Sequence, residues 1–158
     1  EEKKRLESEA KKKAEEELRA WEAEVAPIKA QREADWKQFV AEIDKATEEK
    51  KKVTASNKEK SIADKKEEIA KTSCELKSAQ NELQGLGIFK VSRKKELKEL
   101  IATLEGKLSK LNEDLPKIEE RYKGDIQAIT NEATAQKNAY TKELEKKYKL
   151  PPNPANKK

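Results

Sequence analysis

Leu97, Ile101, Leu104, Leu108, Leu111, Leu115, Ile118 and Tyr122 follow one another at gaps of four and three without a break. An apolar residue every 3.5 positions draws a narrow stripe along one side of a helix, the pattern of a coiled-coil seam. A chain with this stripe must lay it against a second helix, because the stripe is too narrow for a globular core and too apolar for water. The stripe continues more loosely through Ile126, Ile129, Ala133, Ala135 or Gln136, Tyr140 and Leu144. The first half carries a counterpart at Ile62, Ile69, Thr72, Leu76, Ala79 and Leu83, with Trp36, Val40 and Ile43 upstream. Residues 44–61 between them are polar and offer the seam only Ala46, Val53 and Ala55.

The segment 84–92 separates the two stripes. Gly85 or Gly87 can take the left-handed backbone that closes a helix, and Ser92 is a good N-cap for the next one. A short link between long helices makes them antiparallel neighbours. From Pro27 to Gly85 and from Ser92 to Tyr148 the chain counts roughly 57 residues each, or about 85 Å per arm at the helical rise. Facing residues of an antiparallel pair have a constant sum of sequence numbers. Leu76 with Ile101, Ile69 with Leu108 and Ile62 with Leu115 each give 177, and Trp36 with Tyr140 gives 176. The sequence thus predicts an all-α fold: a long antiparallel helical hairpin, a coiled coil, over 27–148 with its tip at 84–92. Pro27 is expected to end or kink the helix before it, leaving residues 1–26 as an additional N-terminal helix or stalk with the stripe Leu6, Ala10, Ala14, Leu18, Trp21 and Val25. Either residues 1–26 or a second molecule is expected to cover the hairpin flank. Pro116 is expected to kink the second arm without dividing it, since Leu115 and Ile118 keep phase across it. Residues 149–158, rich in Pro and Lys, read as an extended tail or linker.

Composition narrows the function classes. Charged residues make up 44% of the chain and aromatics 4%, with no His and a single Cys. Without His the commonest acid–base and metal-binding side chain is missing, and Cys74 alone builds neither a zinc site nor an intramolecular disulfide. No catalytic, cofactor-binding or metal-ligating residue is expected. Carboxylates crowd together, as at Glu119-Glu120, but a two-helix hairpin has little room for the pocket that would perturb them. The chain is therefore expected to be no enzyme and to take no small-molecule substrate. No apolar run approaches the roughly 20 residues that cross a bilayer, and no stretch has the layout of a signal peptide. A lone thiol fits a reducing compartment such as the cytoplasm better than an exported one. The chain opens on Glu1-Glu2 without a Met, which leaves an upstream segment open.

Net charge is +5, small against 37 bases and 32 acids. Seven lysines against two acids fill 137–158, and five bases against two acids fill 90–99. Elsewhere the signs alternate as on solvated helix faces. Acids interrupt nearly every basic run, and the three tyrosines sit at seam spacing, so nucleic acid is an improbable partner. A membrane surface is disfavoured too, since a helix lying in the interface needs a broader apolar face. Cys74, midway between Thr72 and Leu76, is expected to face outward.

Three segments carry a family resemblance: Trp21-Glu-Ala-Glu-Val with Gln31-Arg-Glu-Ala-Asp, Leu86-Gly-Ile-Phe-Lys followed by Lys94-Lys-Glu-Leu-Lys, and Tyr148-Lys-Leu-Pro-Pro. Together they resemble a coiled-coil region of uncharacterised Gram-positive bacterial proteins, whose hairpin tip reads Leu-Gly-x-Phe and then Lys-Lys-x-Leu. The resemblance covers roughly residues 20–152 and implies a helical interaction region; it transfers no catalytic residue.

The tip is the most distinctive patch. Leu86, Ile88 and Phe89 are apolar, and Arg93, Lys94 and Lys95 follow. One reading makes the apolar trio a plug that closes the hairpin end. The other makes these six residues a docking tip for a protein partner, which an exposed apolar cluster would favour. The function expected is that of a structural scaffold or spacer acting through protein partners or self-association. The alternative is a nucleic-acid- or anionic-surface-associated coiled coil acting through the basic tip and tail.

Overall fold

The computed structural model describes residues 1–156. They form two long helices that pack against each other, α1 (Glu2–Gly85) and α2 (Val91–Lys147), followed by a short 3-10 turn at Pro154–Asn156. Among the described residues there is no strand, and no helix is long and apolar enough to cross a membrane. An 84-residue helix forms because good helix formers dominate it and pairs such as Arg5–Glu9 and Glu33–Lys37 lie one turn apart on its surface.

The additional N-terminal helix is not seen. Residues 2–26 are the first part of α1, which runs through Pro27. Pro27 removes one helical donor and crowds the carbonyl of Ala23, but Val25, buried, and Ile28, half-buried, pack on either side and favour continuing the helix. Residues 1–17 are exposed throughout, so they cover no flank. Pro116 likewise lies inside a continuous α2, with Leu115 and Ile118 both half-buried around it.

The chain divides into two units, one of residues 1–47 with 131–158 and one of residues 48–130. In the first, Val25, Ala133 and Leu144 are buried. Tyr140 stacks on Phe39 at 3.9 Å between ring centroids and lies 6.5 Å from Trp36, nearly parallel to both. Trp36 and Tyr140 therefore meet as the constant sum requires. Phe39, which the stripe omitted, is the closer partner. The segment after α2 is not a solvated linker: Leu150, Pro151, Asn153 and Pro154 are half-buried, and Trp21 donates its indole N–H to the Pro151 carbonyl at 2.9 Å. Lys157 and Lys158 lie outside the described residues.

A polar cluster sits beside the aromatic stack in this unit. Asp35 accepts hydrogen bonds from the Tyr148 hydroxyl at 2.5 Å and from Gln31 at 2.9 Å, with Lys147 at 3.8 Å. The Tyr148 hydrogen bond, above all, holds the Asp35 carboxyl below its usual value, and the same bond raises Tyr148 above its own. A depressed carboxylate adds stability above its ordinary pKa of 3.8 and loses it as pH falls through the lower folded value. A raised phenol adds stability below 10.0 and loses it as pH rises through the higher folded value. Tyr148→Phe is accordingly expected to flatten the melting temperature against pH at both ends, below 3.8 and above 10.0, measured by circular dichroism.

The second unit centres on Ala79, Leu97 and Leu104, all buried, with Leu76, Leu83, Leu86 and Ile101 against them. Leu76 and Ile101 thus share one cluster, as the sum of 177 requires. Thr72 is 2% exposed, and among the described residues no buried side-chain nitrogen or oxygen lacks a hydrogen-bond partner. Val53 is not a seam residue; it is 61% exposed. The half-buried positions of the polar stretch are Thr47, Lys51, Thr54, Lys58 and Ser61, with Lys65 just beyond it. Their gaps of three and four extend the first-half stripe of Ile69, Thr72, Leu76, Ala79 and Leu83 upstream, with lysine at 51, 58 and 65. Lysine stems can cover seam surface while the ammonium reaches water. Lys65 meets Asp114 at 3.8 Å, and Ser61 meets the Tyr122 hydroxyl at 3.0 Å.

Polar pairs do not keep one sum: Glu82 with Arg93 gives 175 and Arg32 with Glu145 gives 177, while others run higher. Lys65 with Asp114 sums to 179, Asp44 with Lys137 to 181 and Ser61 with Tyr122 to 183.

Candidate functional site at the interhelical turn

Neither Gly85 nor Gly87 has a positive φ, so the left-handed helix closure is not what ends α1. Leu86 N–H bonds back to the Leu83 carbonyl at 3.4 Å, and Lys90 N–H bonds to the Gly87 carbonyl at 3.3 Å. The second bond makes Gly87–Lys90 a tight turn with Ile88 and Phe89 at its two corners. Ser92 is not the cap either. Lys94 N–H already reaches the Lys90 carbonyl at 3.0 Å, which puts Ser92 inside the first turn of α2.

The six candidate residues separate by role. Leu86 alone closes the end of the core, half-buried against the Ala79, Leu97 and Leu104 cluster. Ile88 is 82% and Phe89 97% exposed, and Val91 beside them 69%. The plug reading therefore fails for Ile88 and Phe89, because corner positions of a tight turn point away from the helices it joins. Arg93 is engaged in a clamp: it donates to both carboxylate oxygens of Glu82, at 2.9 and 3.0 Å, and to Glu96 at 3.1 Å. The fork-on-carboxylate geometry lowers Glu82 and raises Arg93, in each case chiefly through their mutual hydrogen bonds. Lys95 and Lys90 are exposed and Lys94 is half-buried.

Phe89→Ala is thus expected to change stability by no more than about 0.5 kcal/mol, the scale for surface substitutions away from packed features. A loss on the scale of a buried Phe, about 3–5 kcal/mol in a thermal or urea melt, would restore the plug.

Other surfaces are less distinctive. Cys74 is exposed, as its offset from the seam requires. It borders an open groove with Ala79, Leu100 and Leu104. A second groove, about 650 Å³, lies over the polar stretch and is lined by Thr54, Ala55, Lys58, Pro116, Tyr122 and Ile126. Among the described residues no three His, Cys, Asp or Glu side chains are grouped to hold a metal ion. Spacing alone did not single out Asp35, Phe39, Val91 or the Glu82–Arg93 pair. Glu82 and Arg93 sum to 175, which is the one signal that could have found them. No family model, curated protein or solved structure matches the chain.

Proposed function

We propose that the chain is a non-enzymatic coiled-coil spacer, an antiparallel helical hairpin that holds its turn out as a contact point and acts through protein partners or self-association. One observation carries this reading: the same register that buries Ala79, Leu97 and Leu104 ends in a turn whose corner residues are left in water. A seam built this firmly up to Leu86, followed at once by exposed Ile88 and Phe89, separates a holding part from a presenting part. The clamp of Arg93 on Glu82 fixes the turn across both helices. Membership of the coiled-coil group that the tip resembles belongs to the same proposal.

A spacer depends on length and register more than on the identity of its middle residues. Deleting one heptad from each helix in register, residues 58–64 together with 113–119, should therefore leave a cooperative, fully helical melt. Deleting residues 58–64 alone should break it, because every pair upstream would shift by seven. Equal damage from both deletions, followed by circular dichroism, would contradict the spacer.

A further inference from the structure

We infer that the turn is built to seat on an anionic lipid surface, with Ile88 and Phe89 entering the interface and Lys90, Lys94 and Lys95 meeting the headgroups. This rests on the reading that the hairpin presents its turn.

Turn corners ordinarily hold Gly, Pro, Asn, Asp or Ser. Here they hold Ile88 and Phe89, with Val91 close behind, all largely exposed. A single exposed apolar residue needs no explanation, but three within four positions form a patch. Its charge is one-sided. No acid occurs from Leu83 to Lys95, in a chain with 32 of them, while Lys90, Arg93, Lys94 and Lys95 fall in that stretch. Arg93 is neutralised by Glu82 and Glu96, and among the described residues no ion pair joins Lys90, Lys94 or Lys95 to an acid. The free charge at this end is positive.

A second copy of the turn is a poor occupant, since two such patches would set lysine against lysine. A protein groove fits less well than a bilayer, for two reasons. The acid-free stretch spans 13 residues, whereas stable protein interfaces use about 20–30 residues a side. The one guanidinium, the group suited to shaped recognition of carboxylates, is already spent on Glu82, and the free bases are lysines, point charges that make no demand on shape. A bilayer surface needs neither area matching nor shape. It needs apolar groups at the front and cations one turn behind, at headgroup depth. Phe89 and Lys94 are five residues apart, with the first turn of α2 between them.

The test is co-sedimentation of the full chain with phosphatidylcholine vesicles and with mixed phosphatidylcholine–phosphatidylserine vesicles. Partition is expected on the mixed vesicles only, and is expected to fade as salt rises. Reversing two lysines (Lys94→Glu with Lys95→Glu) should weaken it by at least about tenfold, and Phe89→Asp should weaken it as well. Lys11→Glu with Lys12→Glu, on exposed positions of α1, should leave it unchanged. Absence of partition by a chain with its helical melt intact would overturn the bilayer as occupant and leave an acidic protein in its place. Equal partition by the wild-type and turn variants would overturn the turn as the contact. Neither result touches the spacer, which is judged by the paired deletion in the absence of lipid.

Discussion

Leu97→Ala is expected to lower unfolding stability by about 2–4 kcal/mol, within the range for deleting a buried leucine. Leu97 is 0% exposed and sits with Ala79 and Leu104 where Leu76, Leu83, Leu86 and Ile101 converge. Truncation loses both the transfer free energy of the removed atoms and the contacts of the cavity lining. The helix pair limits the relief, since the neighbours are anchored along two helices and cannot close around the gap independently. Leu100, three residues on and 44% exposed, is the internal control: Leu100→Ala should cost less than about 1 kcal/mol, since little apolar area leaves water there. Urea unfolding followed at a helical wavelength measures both. Equal effects at the two positions would mean that the seam does not face where Leu97 places it.

Tyr140→Ala should cost about 2–3 kcal/mol, less than the 3–5 typical of a fully buried large aromatic because this ring is half-exposed. Tyr140 stacks on Phe39 with Trp36 alongside, and aromatic pairs add roughly 0.5–1.5 kcal/mol beyond their buried area. Tyr140→Phe keeps the ring and should recover most of the loss. The alanine variant should also lose near-ultraviolet circular dichroism from Trp36, whose fixed surroundings it removes. If Tyr140→Phe destabilised as much as Tyr140→Ala, the hydroxyl and not the stack would be the source of stability at this level.

The helix pair was legible because its determinant is a period, which survives in sequence whatever the partner. The stripe from Leu97 to Tyr122 and the sums at Leu76 and Trp36 needed nothing else. What escaped was decided by competition that a period does not record. Pro27 does not break α1 because buried Val25 and half-buried Ile28 pack on either side of it. Lys51, Thr54, Lys58 and Ser61 occupy the seam through their position, although their chemistry reads as surface. The apolar residues of the turn read as a plug in sequence, because burial is the ordinary fate of Ile and Phe. Only the backbone of Gly87–Lys90 decides that they face water. The half-buried segment after Tyr148 had no period to betray its contact with Trp21.

The register is the claim on which the seam, the turn and the spacer all depend, and disulfide trapping tests it most directly. In a Cys74→Ser background, cysteines are introduced at Ile69 with Leu108, which sum to 177, and at Ile69 with Ile101 or with Leu115, which are one heptad off in either direction. Oxidation should close the Ile69→Cys/Leu108→Cys pair within single molecules and raise the melting temperature, while both shifted pairs remain reduced or link separate molecules. Ready intramolecular closure of a shifted pair, with the in-register pair left open, would contradict the register and the hairpin built on it.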